Sequence, residues 1–399
     1  MTLPCSLKAA LFTCIFFVTA CTSLQAPKVK QVNGTIQVGA QQGELYLPLL
    51  QNKKVALVVN QSSRVNNQHL LDYLLSQQIN VVRIFAPEHG FRGDHDAGAH
   101  VLNTIDPITG IAITSIYGNN KKPEKSVMDE VDVVIFDIQD VGVRFYTFIS
   151  SMHYMMEAAA ESDTQFIVFD RPNPNGKFVD GPILAPKFRS FVGMHPIPVL
   201  HGMTLAELAL MIKGEGWINK AASLELITIA NNNYRRELPY SLPVAPSPNL
   251  PNSQAIQLYP SLCFFEATPV SIGRGTDFPF QVIGHDIISM GDFEFTPVSK
   301  PGSAAHPKLE NQVLFGTDLR QSSIEGLDLT VFIQVYQQFK HAGYGFFERA
   351  DFMDKLAGTD KLRLAIEQGQ SAEQITASWH TDLQAFKQLR RPYLLYPDY

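Results

Sequence analysis

The chain reads as an α/β protein: a mostly parallel sheet with helices on both faces, followed by a smaller α+β region that is richer in helix. Three observations predict it. Short apolar runs without polar alternation recur as far as about residue 230, as strands buried on both faces require. Helical patterns separate these runs, which is the rhythm of parallel crossover connections. From about Phe293 the pattern changes, becoming less strand-rich and more helical.

Taken in order, Lys54–Asn60 is an apolar run with a polar end, and Leu70, Leu71, Leu74 and Leu75 follow at helical spacing. Val81–Ala86 is the second strand, ended by Pro87, which cannot donate a ladder hydrogen bond. Ile113–Tyr117 is a short third strand and Val131–Asp137 a further buried one. Tyr146–Glu161 has a small and apolar helical face, and Phe166–Asp170 is a strand again. Thr204 and Glu207 form a capping box at the start of a helix running to Gly214, before a strand over Leu224–Ile229. Ala245–Pro251, with three prolines, breaks regular structure; the apolar run around Cys263 reads as a strand. Leu327–His341, Lys361–Gln368 and Ala372–Arg390 are amphipathic helices, and Pro392–Tyr396 is an aromatic tail that packs back on the body.

Bulk properties set limits. With 399 residues, 45% hydrophobic and 18% charged, the chain is long enough for two or three domains around at least one large core. Its 38 acidic and 32 basic side chains give a net charge of −6, and no Lys/Arg run exceeds two, which argues against nucleic acid as a partner.

The N-terminus has the pattern of an export signal over 1–20. Lys8 supplies a positive start, Ala9–Val18 is apolar but too short to span a bilayer, and Val18-Thr-Ala-Cys21 resembles a bacterial lipoprotein box. Lipidation at Cys21 would anchor the chain to a membrane; Thr22 in place of an aspartate favours the outer membrane, facing the periplasm of a Gram-negative cell. An ordinary signal peptide or an uncleaved anchor is the alternative. Residues 21–45 read as a tether. Cys5 and Cys14 leave with the signal, so Cys263 stands alone in an apolar run and no intrachain disulfide framework is expected.

Chemistry concentrates where the strands end. Asn60, Glu88, Asp137 with Asp140, and Asp170 with Arg171 all stand at or just past the carboxyl end of an apolar run, where open α/β sheets bind ligands. Glu88 is the leading general acid, since flanking Phe85 and Phe91 would disfavour its ionised form; its alternative is to bond loop amides and shape a turn. Asp137, Asp140 and Asp170 are candidates for the second carboxylate that glycoside cleavage usually needs, or else caps and partners of Arg144 and Arg171. His89, Asp94, His95, Asp96 and His100 are dense enough to hold a metal that activates water, although no His-x-x-x-His is present. Arg144, Arg171 and Arg274 suit bidentate capture of a carboxylate. Tyr117, Tyr146 and Tyr259 either contact a sugar or pack in the core. Gly273-x-Gly275 lacks the third glycine of a dinucleotide fingerprint, and neither a P-loop nor a Gly-x-Ser-x-Gly elbow occurs.

Five ordered motifs bring these residues together: Pro87–Gly93 with Asp96-Ala-Gly98, Phe136–Thr147, Asp170–Pro174, Pro246–Pro251, and Gly273–Thr276 with Pro279-Phe280. In them the chain resembles the exo-β-N-acetylmuramidases of the NamZ type, from about Lys53 to Tyr396. One departure is that 297–316 lacks a Cys-Gly element found in many relatives.

The resemblance implies a Rossmann-like catalytic domain, set at 46–285, joined to a smaller α+β domain at 286–399. It also implies a glycosidase that removes terminal N-acetylmuramic acid from the non-reducing end of peptidoglycan fragments, without a cofactor. The catalytic carboxylate falls on Glu88 by this match, with Asp140 or Asp170 as its partner. His89, Arg92, Asp137, Arg144, Tyr146, Arg171, Asn173, Asn249, Glu266 and Arg274 are the expected substrate contacts. Two other readings stay open: a metal-dependent hydrolase built on His89, Asp94, His95 and Asp96, and a lipoprotein that binds muropeptides without cutting them.

Overall fold

The computed structural model describes residues 1–2, 34–92 and 103–398, and its main body begins at Thr35. The export signal, Cys21, and Asp94, His95, Asp96 and His100 lie outside the described residues.

A 3-10 turn at Gly39–Gln41 leads into α1 (Gly43–Leu50) and β1 (Val55–Val59). A hairpin of β2 (Arg64–Val65) and β3 (Gln68–His69) precedes α2 (Leu70–Ser76) and β4 (Val81–Ala86). Then come β5 (Thr104–Ile105), β6 (Ala112–Ser115), α3 (Lys125–Met128), β7 (Val133–Asp137), α4 (Phe148–Glu161), β8 (Gln165–Phe169), α5 (Leu205–Gly214) and β9 (Leu226–Ile229). After α6 (Ser253–Leu262), β10 (Val282–His285), β11 (Phe293–Phe295) and β12 (Leu314–Asp318) form a small antiparallel sheet. The chain closes with α7 (Thr330–Ala342), α8 (Ala350–Ala357), α9 (Lys361–Glu367), α10 (Ala372–Ala377) and α11 (His380–Arg390).

The large sheet has the order β5-β6-β4-β1-β7-β8-β9, and every pairing except β5 with β6 is parallel. Its central strands β1, β7 and β8 are almost wholly apolar because both faces are covered. Along β1, Val55, Leu57 and Val59 enter one core with Leu70, Leu71 and Leu74 of α2, while Ala56 and Val58 enter the other with Met152 of α4 and Leu208 of α5. Side chains alternate across a strand, so a single continuous run serves two cores. The second core also takes Phe264, Phe332 and Phe386, so the C-terminal half is packed into it.

The capping box is formed: Thr204 N–H donates to Glu207 at 2.9 Å, and Glu207 N–H donates to Thr204 Oγ1 at 3.5 Å. The tail also packs back as expected, with Tyr396 buried and its hydroxyl donating to Asp170 at 2.5 Å.

Several expectations need correction. The stretch read as tether up to residue 45 is already part of the body from Thr35, with Ala40 and Tyr46 fully buried. Cys263 lies in a 3-10 turn that continues α6, not in a strand; apolar content alone does not separate short strands from buried helix. The helix read over Ala372–Arg390 is broken between α10 and α11. An edge between domains at 285/286 would part β10 from its antiparallel partner β12, so the small sheet straddles it.

Candidate active site

A cleft of about 670 Å³ opens beyond the end of β4, lined on one side by Glu88, His89, Tyr117, Tyr146 and Thr147 and on the other by Tyr259, Glu266, Arg274 and Lys308. The turn that places Glu88 is tight: Gly90 N–H donates to Pro87 O at 3.0 Å, and His89 has φ +68°. A positive φ at the third residue is the type II turn, which glycine normally supplies. Here a histidine takes it, a backbone strain of the kind found at functional sites. His89 is buried, with its Nε2 3.3 Å from Ser247 Oγ.

The Glu88 carboxylate accepts from Tyr117 Oη at 2.8 Å on one oxygen and from Thr147 Oγ1 at 2.5 Å on the other. Thr147 is the residue before α4, so the carboxylate sits at the positive end of that helix. Burial, and then the charge of Glu88, raise the Tyr117 phenol above its ordinary pKa, so it stays a proton donor. Phe85 and Phe91, expected to flank Glu88, turn into the two cores on opposite faces of the sheet.

Across the cleft, Arg274 pairs with Glu266 at 2.5 Å and lies over the Phe280 ring. Glycines set this loop: Gly273 and Gly275 both have positive φ, and a Cβ on Gly275 would meet Val298 O at 2.5 Å. Lys308 is half-buried with its ammonium donating to the carbonyls of Phe265, Thr268 and Val270, and desolvation lowers its pKa to about 8. Asn249 lines the cleft while its amide donates to Ser303 O at 2.7 Å. Tyr146 does so with its hydroxyl donating to Pro246 O at 2.9 Å.

The other strand ends do not reach this space. Asp137 and Arg171 form a buried two-point ion pair at 2.6 and 2.8 Å, and Ser63 Oγ donates to the Asp137 carbonyl. They fill the crevice where the strand order reverses, between β1 and β7, so the open cleft is displaced toward β4. Asp170 is fully buried, accepting from Tyr396, Asn231 and the Ala206 amide. Asp140 accepts from the Gly142 amide at 2.6 Å behind the wall. Burial pushes both Asp140 and Asp170 up to about 7, against hydrogen bonds that pull the other way.

Arg144, expected to clamp a carboxylate, is buried and donates to the carbonyls of Pro182, Ile197 and Leu356. Asn173 donates to Met203 O and accepts from the Asn175 amide, which shapes its own loop. Arg92 pairs with Asp106 at 2.8 Å and lines a different surface pocket. Thr147 and Lys308 were not singled out from the sequence. Thr147 ends a motif that was, whereas Lys308 stands in a stretch without pattern. Among the described residues, no cluster of three or more His, Cys, Asp or Glu could hold a metal ion.

An open parallel α/β sheet, a packed C-terminal half, and a carboxylate-bearing cleft lined by both define the class of protein. Comparison then identifies the family. The N-terminal model of exo-β-N-acetylmuramidase NamZ matches residues 55–254 and the C-terminal model matches 257–396, so the chain belongs to this family. It is 36% identical over 377 residues to the peptidoglycan β-N-acetylmuramidase NamZ of Bacillus subtilis (strain 168), spanning 88% of this chain and 89% of that one. Two crystal structures of DUF1343 family proteins from Bacteroides fragilis NCTC 9343 share the fold. One has a TM-score of 0.83 at 46% identity and covers 92% of this chain and 100% of its own; the other has 0.78 at 27%, covering 91% and 99%.

Proposed function

We propose that the protein is a glycosidase, an exo-β-N-acetylmuramidase that releases terminal N-acetylmuramic acid from the non-reducing end of peptidoglycan fragments. The observation that carries this reading is the Glu88 carboxylate, held in the cleft by Tyr117 and Thr147. In it, Glu88 in its protonated form gives its proton to the glycosidic oxygen as the bond to the sugar breaks, and water adds to the oxocarbenium-like centre while its proton passes to a second carboxylate. Glu266 and Glu88 are the carboxylates that line the cleft among the described residues, so Glu266 takes the partner role first assigned to Asp140 or Asp170. Arg274 beside it supplies a positive charge for the lactyl carboxylate that distinguishes muramic acid.

Glu88→Gln keeps the side chain's shape and removes its proton transfer, so turnover is expected to fall by about 10²- to 10⁴-fold with the melting temperature unchanged. Substantial residual turnover would remove Glu88 from the role of acid.

The same reading places the enzyme in the periplasm, lipid-anchored through Cys21 to the outer membrane. Its support is the sequence Lys8, Ala9–Val18 and Val18-Thr-Ala-Cys21. Metabolic labelling with a fatty acid should mark the natural chain and not Cys21→Ala; equal labelling of both would contradict the anchor.

A further inference from the structure

A second cavity of about 530 Å³ adjoins the cleft, and Phe191 and Lys121 line both. Aromatic rings run without a break from the acid to this cavity. Tyr117, whose hydroxyl holds Glu88, is 5.6 Å from Phe191, and Phe191 stacks on Tyr154 at 6.3 Å. At the far side Trp217 stacks on His195 at 5.1 Å, and His195 Nε2 is 2.9 Å from His153 Nδ1. Tyr154, Phe191 and Trp217 are each partly exposed and line the cavity.

We infer that this cavity binds the saccharide on the leaving side of the scissile bond, one or two N-acetylhexosamine units joined through that bond to the terminal muramic acid. Half-exposed rings set among polar side chains suit a pyranose, which has an apolar face and a rim of hydroxyl and amide groups. The direction follows from the cleft. With the muramic carboxylate drawn to Arg274 and the acid at Glu88, the rest of the chain must leave past Tyr117 and Phe191, toward this cavity. A stem peptide hangs from the muramic lactyl group instead, on the Arg274 side. The inference rests on the exo-muramidase reading.

The test compares two substrates of the full-length protein: a chromogenic β-N-acetylmuramide, whose aglycone ends at the cleft, and a peptide-free glycan tetrasaccharide with muramic acid at its non-reducing end. Tyr154→Ala should lower kcat/KM for the tetrasaccharide about tenfold, through KM, from the loss of one stacking contact, and leave the muramide unchanged. An equal effect on both substrates, or none on the tetrasaccharide, would overturn the subsite.

Binding gives a second readout that survives a poorly folded variant. The chain has two tryptophans, and Trp379 is buried. A β-1,4-linked N-acetylglucosamine trisaccharide should quench Trp217 fluorescence saturably in the natural protein and not in Trp217→Phe. Absence of quenching in the natural protein would overturn the inference. Failure of the natural protein to cleave the muramide would instead mark failure of the muramidase reading itself.

Discussion

Glu88 and Asp140 are both carboxyl groups beyond the ends of parallel strands, β4 and β7, that flank β1, and their surroundings differ. Glu88 meets two hydroxyls in an open cleft. Asp140 meets the Gly142 amide in a closed wall, where burial lifts it to about 7. A folded-state pKa raised above the ordinary 3.8 means that the folded chain holds the proton more tightly than the unfolded one. Stability therefore falls as pH rises from about 4 to about 7, and the penalty, on the order of 4 kcal/mol, is complete above that window. Asp140→Asn abolishes this titration. Its melting temperature should exceed that of the natural protein by a margin that grows from pH 4 to pH 8; a constant difference across that range would contradict the buried-acid account.

At the scale of elements, the C-terminal tail is tied to the sheet by one hydroxyl. Tyr396 donates to Asp170 beyond β8 and accepts from the Asn231 amide at 2.6 Å beyond β9. Glu207, in the first turn of α5, accepts from the Leu395 amide at 2.8 Å as well as from Arg236. Tyr396→Phe leaves the ring packed, strands the Asn231 amide and removes one of three donors to Asp170, so it should cost about 1–3 kcal/mol in denaturant unfolding. Loss of activity without loss of stability would contradict a purely structural tail.

The strands were legible because the two-sided sheet writes its burial into unbroken apolar runs, as Val55–Val59 does residue for residue. Cys263 was misread because a buried helix end has the same composition. The capping box at Thr204 and Glu207 was legible because its partners are three residues apart. The Asp170–Tyr396 bond, which spans 226 residues, leaves no local trace.

For the whole molecule, the sequence pointed to the carboxyl edge of the sheet, and that is where the cleft lies. Which strand-end groups would face it was not legible, because pairing across the fold decides that. Arg171 neutralises Asp137 inside the crevice at the reversal of strand order, and Arg144 is absorbed by three carbonyls. What remains open is the space between Glu88 and the loop of Arg274, walled by both halves of the chain. On the proposed reading, this space cleaves muramides by carboxylate chemistry.

The measurement that bears on it most directly incubates the purified protein with a chromogenic β-N-acetylmuramide and the matching β-N-acetylglucosaminide, each with and without chelator. Release from the muramide alone, untouched by chelator and lost in Glu88→Gln, is the predicted result. Release that chelator stops, or no release from the muramide, would contradict it.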